Sequence, residues 1–359
     1  MSRVWRVAVA GLGHWYSAYN LARSMREYPK AVLVAVASRE KNRRDEFAGA
    51  FGLSGYDTLA ELLDRERVDI VHIASPVCEI HDLTLQSAAA GKHLVLGKPM
   101  AMTVVEADRM VAAVEAARIV CVPLQSIMRL RFAWLKARID AGEIGDPLVL
   151  HQASRWSIAE DWYRSGTPGW FADPRYVPGG AFIDEGIYWI DMFRRLSASD
   201  VVSVEAKIGN LVHTDIAVED WGMATFTTDS GIIATLEASW TINAPRRSGP
   251  SPKQNSVVRL EVVGSRGEII EQWFRDPGRA VLAAGAEQWI FESRADDAFA
   301  PQTPALLDYL IDCIERKTPP SLTIQDARAA LAIALAAYQS AREGRAVRLA
   351  PSVEPPSPR

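Results

Sequence analysis

Short, continuously apolar runs alternate with amphipathic stretches over the first third of the chain. The runs are rich in β-branched residues and occupy positions 7–10, 32–37, 70–74, 93–96 and 120–122. Continuous apolar runs of this length are typical of strands buried on both faces, and the stretches between them have helical spacing. The sequence therefore predicts an α/β domain over residues 1–124, with a doubly wound parallel sheet of Rossmann type.

The pattern changes after Leu124. Further helices are predicted over 132–140, 182–196, 304–315 and 324–342, and further strands over 148–154, 204–211, 222–227, 232–239, 257–263 and 268–272. Turn residues at 229–231 and 264–267 connect neighbouring strands as hairpins. We therefore predict an α+β domain over 125–350 that binds substrate and oligomerises, with a large open, mostly antiparallel sheet. Residues 351–359 are rich in proline and serine and are predicted to form a disordered tail.

Composition narrows the class of protein. The 359 residues are 48% hydrophobic and 23% charged, with a formal net charge of −4. These values are typical of a globular chain, and the charge disfavours binding to nucleic acid or to an anionic membrane surface. Three scattered cysteines and the spacing of the histidines predict no metal site. Met1 to Trp5 contains no secretory leader pattern, so we expect a cytoplasmic protein.

A glycine-rich turn directly follows the first predicted strand and reads Gly11-Leu12-Gly13-His14-Trp15-Tyr16. In this context the two glycines allow a tight turn and let backbone N–H groups approach a pyrophosphate at a helix N-terminus. We predict that Gly11, Gly13, His14 and Trp15 contact a dinucleotide. Tyr16 replaces the usual third glycine, and the alternative interpretation is an ordinary glycine-rich turn.

The end of the second predicted strand bears on the choice of nicotinamide cofactor. An acidic residue there would accept the 2'-hydroxyl of NAD, whereas a basic residue accommodates the 2'-phosphate of NADP. This chain has Ala37, Ser38 and Arg39, with Arg43 close by. We therefore predict NADP, with NAD as second choice, and Ser38, Arg39 and Arg43 as cofactor contacts. The alternative is that these residues are solvated charges at the start of a helix.

Three segments together resemble the glucose-fructose oxidoreductase and inositol dehydrogenase family, Gfo/Idh/MocA. They are Ser75-Pro76, the run 90–101 containing Gly97-Lys98-Pro99, and the run 178–188 containing Asp184 and Tyr188. The resemblance implies that Lys98 lies beside the nicotinamide and the substrate hydroxyl, that Asp184 acts with it, and that Ser75 and Pro76 contact the cofactor. His81 is expected to lie in a loop that faces the cofactor and to contact it, near the place where the family often has a histidine. The chain departs from the family at Gly97, usually glutamate, and at Tyr188, usually histidine.

Oxidation of a secondary alcohol needs a base for the hydroxyl proton while hydride leaves for a cofactor. Asp184 and Tyr188 are four residues apart and so share a helix face. A phenol is a poor base near neutral pH unless a cation such as Lys98 stabilises its phenolate. Packing of Tyr188 and a helix-start role for Asp184 are the alternatives. Aromatic faces would suit a polyhydroxylated ring, so we predict substrate contacts from Lys98, Asp184, Tyr188, Trp156 and Trp162.

These features predict an NAD(P)-dependent oxidoreductase that transfers hydride at a secondary or anomeric carbon of a sugar, sugar derivative or polyol. The resemblance and the open sheet both favour a homodimer or homotetramer. Two alternatives stay open. One is a redox-neutral eliminase or glycosidase with a tightly bound cofactor. The other is a non-catalytic sensor that binds dinucleotide and sugar. The presence of glycine at position 97, in place of the family's usual glutamate, favours this second alternative.

Overall fold

The computed structural model describes residues 3–158, 169–242, 256–274, 278–293 and 303–349. The described residues divide into two compact units, one within Met1–Ile127 and Pro301–Arg328 and the other within Met128–Ala300 and Ala329–Arg359. In this division Pro301–Arg328 belong to the first unit, although they lie far beyond the predicted boundary after residue 124. The tail predicted at 351–359 lies outside the described residues.

The first unit is built on a six-stranded sheet in the order β3-β2-β1-β4-β5-β6. Its strands are β1 Trp5–Ala10, β2 Ala31–Ala37, β3 Ser54–Tyr56, β4 Ile70–Ile73, β5 His93–Leu96 and β6 Cys121–Pro123. Its helices are α1 Trp15–Ser24, α2 Lys41–Phe51, α3 Leu59–Arg65, α4 Val77–Ala89 and α5 Val104–Ala117. All neighbouring strands are parallel, which confirms the predicted doubly wound sheet. The sequence analysis missed β3, a short strand whose residues are mostly exposed.

A helix from far along the chain completes the core of the first unit. The helix α9, Thr303–Arg316, contributes Leu306, Leu307, Leu310 and Ile311 to the cluster that contains Trp5. These side chains recur at helical spacing and are nearly inaccessible to solvent, so this apolar face must be covered by the first unit. Hydrophobic periodicity predicted the helix but gave no information about which sheet it covers.

The second unit contains the remaining helices and a second sheet. Its helices are α7 Ala133–Asp140, α8 Ala181–Ser197 and most of both α6 Ser126–Arg131 and α10 Ile324–Glu343, and a 3-10 turn lies at Gly169–Ala172. Its strands are β7 Pro147–Arg155, β8 Val201–Gly209, β9 Trp221–Thr228, β10 Ile233–Ser239, β11 Val257–Gly264, β12 Glu268–Phe274, β13 Gly278–Leu282, β14 Ile290–Ser293 and β15 Val347–Arg348.

The second sheet has nine strands in the order β14-β13-β12-β11-β7-β10-β9-β8-β15. Within the described part of this second sheet, β7 and β10 pair in parallel and all other neighbouring strands pair antiparallel. The prediction of a mostly antiparallel sheet is therefore confirmed. Both predicted hairpins are present, joining β9 to β10 and β11 to β12. The strands β13, β14 and β15 were not predicted.

The helix α8 packs on this sheet and is almost entirely buried. At Gly186 an added Cβ would lie 2.9 Å from Leu236 Cδ2, so the glycine permits close approach of α8 to β10. The short helix α6 is joined to α8 by a buried bidentate ion pair, in which Arg129 donates to Asp191 at 2.6 and 2.8 Å. Among the described residues no helix is both long and apolar enough to cross a membrane.

The ion pair gives a stability prediction. Arg129→Met leaves the Asp191 carboxylate buried without its guanidinium, and we expect a loss of about 3–5 kcal/mol in the free energy of unfolding. The double variant Arg129→Met/Asp191→Leu removes both charges and should lose much less. Urea denaturation followed by circular dichroism measures both. A double variant as unstable as the single one would show that packing, and not charge compensation, dominates here.

Candidate active site

The glycine-rich turn after β1 lies against the turn after β4. Gly11 has φ +83°, and an added Cβ would overlap the Ser75 hydroxyl. At Gly13 an added Cβ would lie 2.5 Å from Pro76 Cδ. The backbone N–H of His14 donates to the Ala74 carbonyl at 2.9 Å, which fastens the two turns together. The structure thus brings Gly11, Gly13, Ser75 and Pro76 together, at the carboxyl ends of parallel strands where ligands bind in this type of fold.

Three titratable side chains lie buried beside this turn: His14, His72 and Lys98, each 2% exposed. Burial, followed by the positive charge of Lys98 and the neighbouring His72, holds the pKa of His14 well below its usual range. Burial alone lowers the pKa of His72 to about 4. His72 Nε2 is 2.9 Å from the Ser17 hydroxyl, and His14 Nδ1 is 3.3 Å from the Tyr16 hydroxyl. Both imidazoles are therefore neutral near pH 7, and Lys98 supplies the cation of this cluster.

Gly97 precedes Lys98 in closely packed surroundings. An added Cβ would lie 3.0 Å from Ile80 Cδ1 and 3.1 Å from the Ile73 carbonyl oxygen. Any side chain at this position therefore requires its neighbours to move. The residues around position 97 therefore pack closely against the glycine that replaces the family's usual glutamate.

At the end of β2, the predicted basic residues differ in their surroundings. Arg39 is exposed, and Arg43 pairs with Glu40 at 3.2 Å on the exposed start of α2. Ser38 is buried, and its hydroxyl accepts the Glu40 N–H at 3.3 Å. Arg44, which sequence reasoning did not select, is buried and donates to the Ser38 carbonyl at 2.8 Å and to Asp57. Arg44 therefore supports the backbone of this loop, whereas Arg39 and Arg43 face solvent.

Two further predicted cofactor contacts lie on helices. Trp15 is the first residue of α1 and packs edge-on against Tyr19 at 5.8 Å between ring centroids. His81 was expected in a loop, and this is wrong, because it lies inside α4 with its Nδ1 2.8 Å from Asp82. The helix begins at Val77, and Pro76 is its N-cap residue.

In the second unit, α8 carries Asp184 in its first turn and Tyr188 one turn later. Asp184 is buried and Tyr188 is half-buried. Arg131, at the end of α6, is the cation near Tyr188. Burial lowers the pKa of Arg131 to about 10, and interaction with Tyr188 opposes this shift. Its guanidinium also lies over the Trp273 ring, 5.4 Å from the centroid. A phenolate at Tyr188 would therefore have a cation beside it within its own unit.

Aromatic packing fixes this neighbourhood. Phe132 stacks on Trp273 with centroids 4.7 Å apart and meets Trp189 edge-on at 5.3 Å. Phe132 follows Arg131 and Trp189 follows Tyr188, so these aromatic contacts are next in the chain to the interacting pair Arg131 and Tyr188. Trp156 is 7% exposed and donates its indole N–H to the Ser154 hydroxyl at 2.7 Å, which is a packed position. Trp162 lies outside the described residues.

Three residues of this region escaped the sequence analysis: Arg131, Glu219 and Tyr338. Arg131 had a signal, since it lies with Arg129 in the short segment between the strand predicted at 120–122 and the helix predicted at 132–140. Glu219 and Tyr338 contact the start of α8 from distant parts of the chain, with the Tyr338 hydroxyl donating to Glu219 Oε1 at 2.5 Å. No local motif indicates such a contact.

The parallel sheet, its strand order and the glycine-rich turn define a dinucleotide-binding protein of Rossmann type. Family models agree with both parts of the chain. Residues 5–123 match the oxidoreductase family with an NAD-binding Rossmann fold, and residues 132–270 match the GFO/IDH/MocA C-terminal domain. The chain belongs to the Gfo/Idh/MocA family of oxidoreductases, which confirms the resemblance.

Known relatives are similar over nearly the whole chain. The scyllo-inositol 2-dehydrogenase (NAD(+)) of Bacillus subtilis (strain 168) is 28% identical over 96% of both chains. A D-apiose dehydrogenase of Paraburkholderia graminis is 28% identical over 94% of this chain and 88% of the relative. Among solved structures, an aldose-aldose oxidoreductase from Caulobacter crescentus complexed with glycerol has a TM-score of 0.79 at 24% identity, covering 97% of this chain and 100% of that one. This last similarity concerns the fold.

The buried His72 gives a pH prediction. Its pKa of about 4 in the folded state lies below the ~6.5 of an unfolded histidine, so between these values only the unfolded chain binds the proton. The stability that neutral His72 contributes is therefore present above pH 6.5 and lost on acidification through this window. Between pH 7 and pH 5 we expect the wild type to lose about 2 kcal/mol relative to His72→Gln.

Urea denaturation of both proteins at the two pH values measures this difference. His151→Gln is the matched control, because His151 is exposed on β7 and should show no such effect. Equal losses in wild type and His72→Gln would contradict the assignment of a depressed pKa to His72.

Proposed function

We propose that this protein is an NAD(P)-dependent dehydrogenase or reductase that acts on a CH–OH group of a sugar, sugar derivative or polyol. The observation that carries the proposal is the buried Lys98 beside two neutral histidines, next to the turn where Gly11 and Gly13 pack against Ser75 and Pro76. The names of the relatives, which act on inositol and apiose, support a polyhydroxylated substrate.

The glycine-rich turn fits a dinucleotide. Side chains at Gly11 and Gly13 would overlap Ser75 and Pro76, so glycine lets the two turns pack closely at the start of α1, the place where a pyrophosphate binds in this type of fold. We infer that Gly11, Gly13, His14, Trp15, Ser75, Pro76 and His81 contact the cofactor. A bound nicotinamide supplies the hydride acceptor or donor for the reaction.

Lys98 would bind the reacting oxygen of the substrate. Its ammonium donates hydrogen bonds and favours alkoxide-like charge on that oxygen, and its burial strengthens the interaction relative to water. The neutral state of His14 and His72 leaves the lysine as the source of positive charge in its cluster. The same contact orients the hydroxyl-bearing carbon.

Tyr188 would take the hydroxyl proton at its phenol oxygen, with Asp184 on the same face of α8 as a hydrogen-bond acceptor for the substrate. Arg131 stabilises the phenolate form that a basic tyrosine requires. Trp156 and Trp162 remain predicted substrate contacts.

The test of this proposal is turnover of a panel of inositols, aldoses and glycosides with NAD and with NADP, followed by the absorbance of the reduced cofactor. Lys98→Met should lower the single-turnover rate at least about a hundredfold while cofactor binding persists. Tyr188→Phe should lower it by about 10²–10⁴-fold. Tyr176→Phe is the matched control, an exposed tyrosine of the same unit that should leave the rate unchanged.

Substrate conversion with no reduced cofactor in the wild type would instead indicate the redox-neutral reaction. Cofactor binding with no conversion of any substrate would indicate a sensor. Normal transfer in Lys98→Met would remove the lysine from the mechanism.

We further propose that NADP binds better than NAD. Support comes from the exposed guanidiniums of Arg39 and Arg43 after β2, where no carboxylate follows Ala37 directly. Arg39→Ala should weaken NADP by about 1–3 kcal/mol, the value of a charge-assisted contact, with little effect on NAD. Titration calorimetry with both cofactors measures this, and Arg23→Ala, on α1, controls for loss of a surface charge. Equal losses for both cofactors, or a wild-type preference for NAD, would contradict it.

The chain is also proposed to form a homodimer or homotetramer. The outer face of the second sheet exposes Met223 and Ile233, on neighbouring strands β9 and β10. A second copy covering this face would bury these side chains.

A further inference from the structure

The first turn of α8 begins at a residue that provides no capping side chain. Gly180 is the N-cap residue, and a glycine has no oxygen with which to accept the backbone N–H groups of the first turn. These groups are nevertheless all bonded. The N–H groups of Gly180 and Phe182 donate to the Glu219 carboxylate at 2.9 and 3.0 Å, and that of Ala181 donates to the Glu219 carbonyl at 3.0 Å.

Tyr338 completes the set. Its hydroxyl accepts the Ile183 N–H at 3.2 Å and donates to Glu219 Oε1 at 2.5 Å. The four N–H groups at the start of the helix are therefore satisfied by two residues that lie elsewhere in the sequence. A carboxylate at this end also interacts favourably with the helix dipole.

The two glycines before α8 make room for this arrangement. An added Cβ at Gly179 would overlap the Tyr338 hydroxyl, and one at Gly180 would overlap the Glu219 carbonyl oxygen. The Pro178-Gly179-Gly180 segment is thus shaped by the side chain and backbone that cap the helix. Phe182 packs edge-on against the Tyr338 ring with centroids 5.8 Å apart, which holds the tyrosine in place.

The capping pair is electrostatically linked to the functional face of the helix. Burial raises the pKa of Glu219, and the hydrogen bonds from Tyr338 and from the Gly180 and Phe182 amides oppose that shift. Burial, Glu219 and then Asp184 together raise the pKa of Tyr338 well above its usual range. Asp184 therefore lies close enough to Tyr338 to interact with it electrostatically.

We propose that Glu219 and Tyr338 are positioning residues for the proposed hydride-transfer reaction, capping α8 from outside and thereby fixing where Asp184 and Tyr188 lie. The inference rests on the proposed function. Asp184 is in the capped turn itself and Tyr188 is one turn further along, so a shift of the first turn moves both. Displacements of about 1 Å at reacting groups cost about a hundredfold in rate.

The test is Tyr338→Phe, which keeps the ring and removes the hydroxyl. We expect kcat to fall about tenfold to a hundredfold and KM to rise by a smaller factor, because the proton acceptor Tyr188 is displaced together with Asp184, one of several substrate contacts. Amide exchange of peptides covering 180–183, measured by mass spectrometry, should accelerate about tenfold. Glu219→Gln, which keeps one acceptor oxygen and the shape, should change both quantities in the same direction to a smaller extent.

Two controls match these variants. Tyr309→Phe removes a tyrosine hydroxyl that also accepts a backbone N–H, from Ser321, in the other unit. Glu205→Gln removes one negative charge from the exposed side of β8. Neither should alter kcat or exchange at 180–183.

Each outcome decides between the possibilities. Faster exchange at 180–183 together with a loss of activity carried mainly by kcat supports the inference. Faster exchange with unchanged kcat overturns the inference and leaves the proposed function standing. Unchanged exchange in both variants has the same two consequences. If the wild type itself reduces no cofactor with any substrate, the proposed function fails and this inference fails with it. Should Tyr338→Phe not fold, Glu219→Gln decides by the same two measurements.

Discussion

The backbone N–H groups at the start of a helix need acceptors, and the two helices most closely connected with function meet this need in different ways. In α8, the acceptors are the carboxylate of Glu219 and the hydroxyl of Tyr338, which are recruited from other parts of the second unit. In α1, the helix begins at a glycine-rich turn of the type that presents its N–H groups to a phosphate. Each helix start is therefore built around negative charge, supplied by the protein in one case and proposed to come from a ligand in the other.

Charge in the first unit is controlled by burial. His14 and His72 are kept neutral by their surroundings, so the cluster beside the glycine-rich turn carries the charge of Lys98 and no further cation from the imidazoles. In the second unit, packing between side chains determines where the charged group Arg131 lies. Phe132, Trp189 and Trp273 form an aromatic group that holds Arg131 close to Tyr188, while Arg129 and Asp191 fasten the same two helices through a buried ion pair.

Much of the fold follows from local pattern. Buried apolar runs predicted five of the six strands of the first sheet, because strands covered on both faces need continuous hydrophobicity. Hairpin turns predicted the antiparallel pairing around β9 to β12. The short strands β3 and β14 were not predicted, because their residues are mostly exposed and form no buried apolar run. The return of α9 to the first unit was not predictable, because it depends on partners distant in sequence.

The same division applies to the candidate site. Gly11, Gly13, Lys98, Asp184 and Tyr188 belong to compact motifs and could be proposed from sequence. Glu219 and Tyr338 were missed because 119 residues separate them and they meet only in the folded second unit. The loop position expected for His81 was wrong, since α4 starts immediately after Pro76.

Gly97 limits how this chain can change. Ile80 Cδ1 and the Ile73 carbonyl already occupy the space that a side chain at position 97 would enter. The Ile73 carbonyl belongs to the central sheet and cannot easily retreat, whereas Ile80 is a replaceable side chain on α4. A glutamate at position 97 alone would be penalised by steric overlap, and a smaller residue at position 80 alone would leave a cavity. The cost of a side chain at position 97 therefore depends on the residue at position 80, whereas the close contact with the Ile73 carbonyl stays in either case.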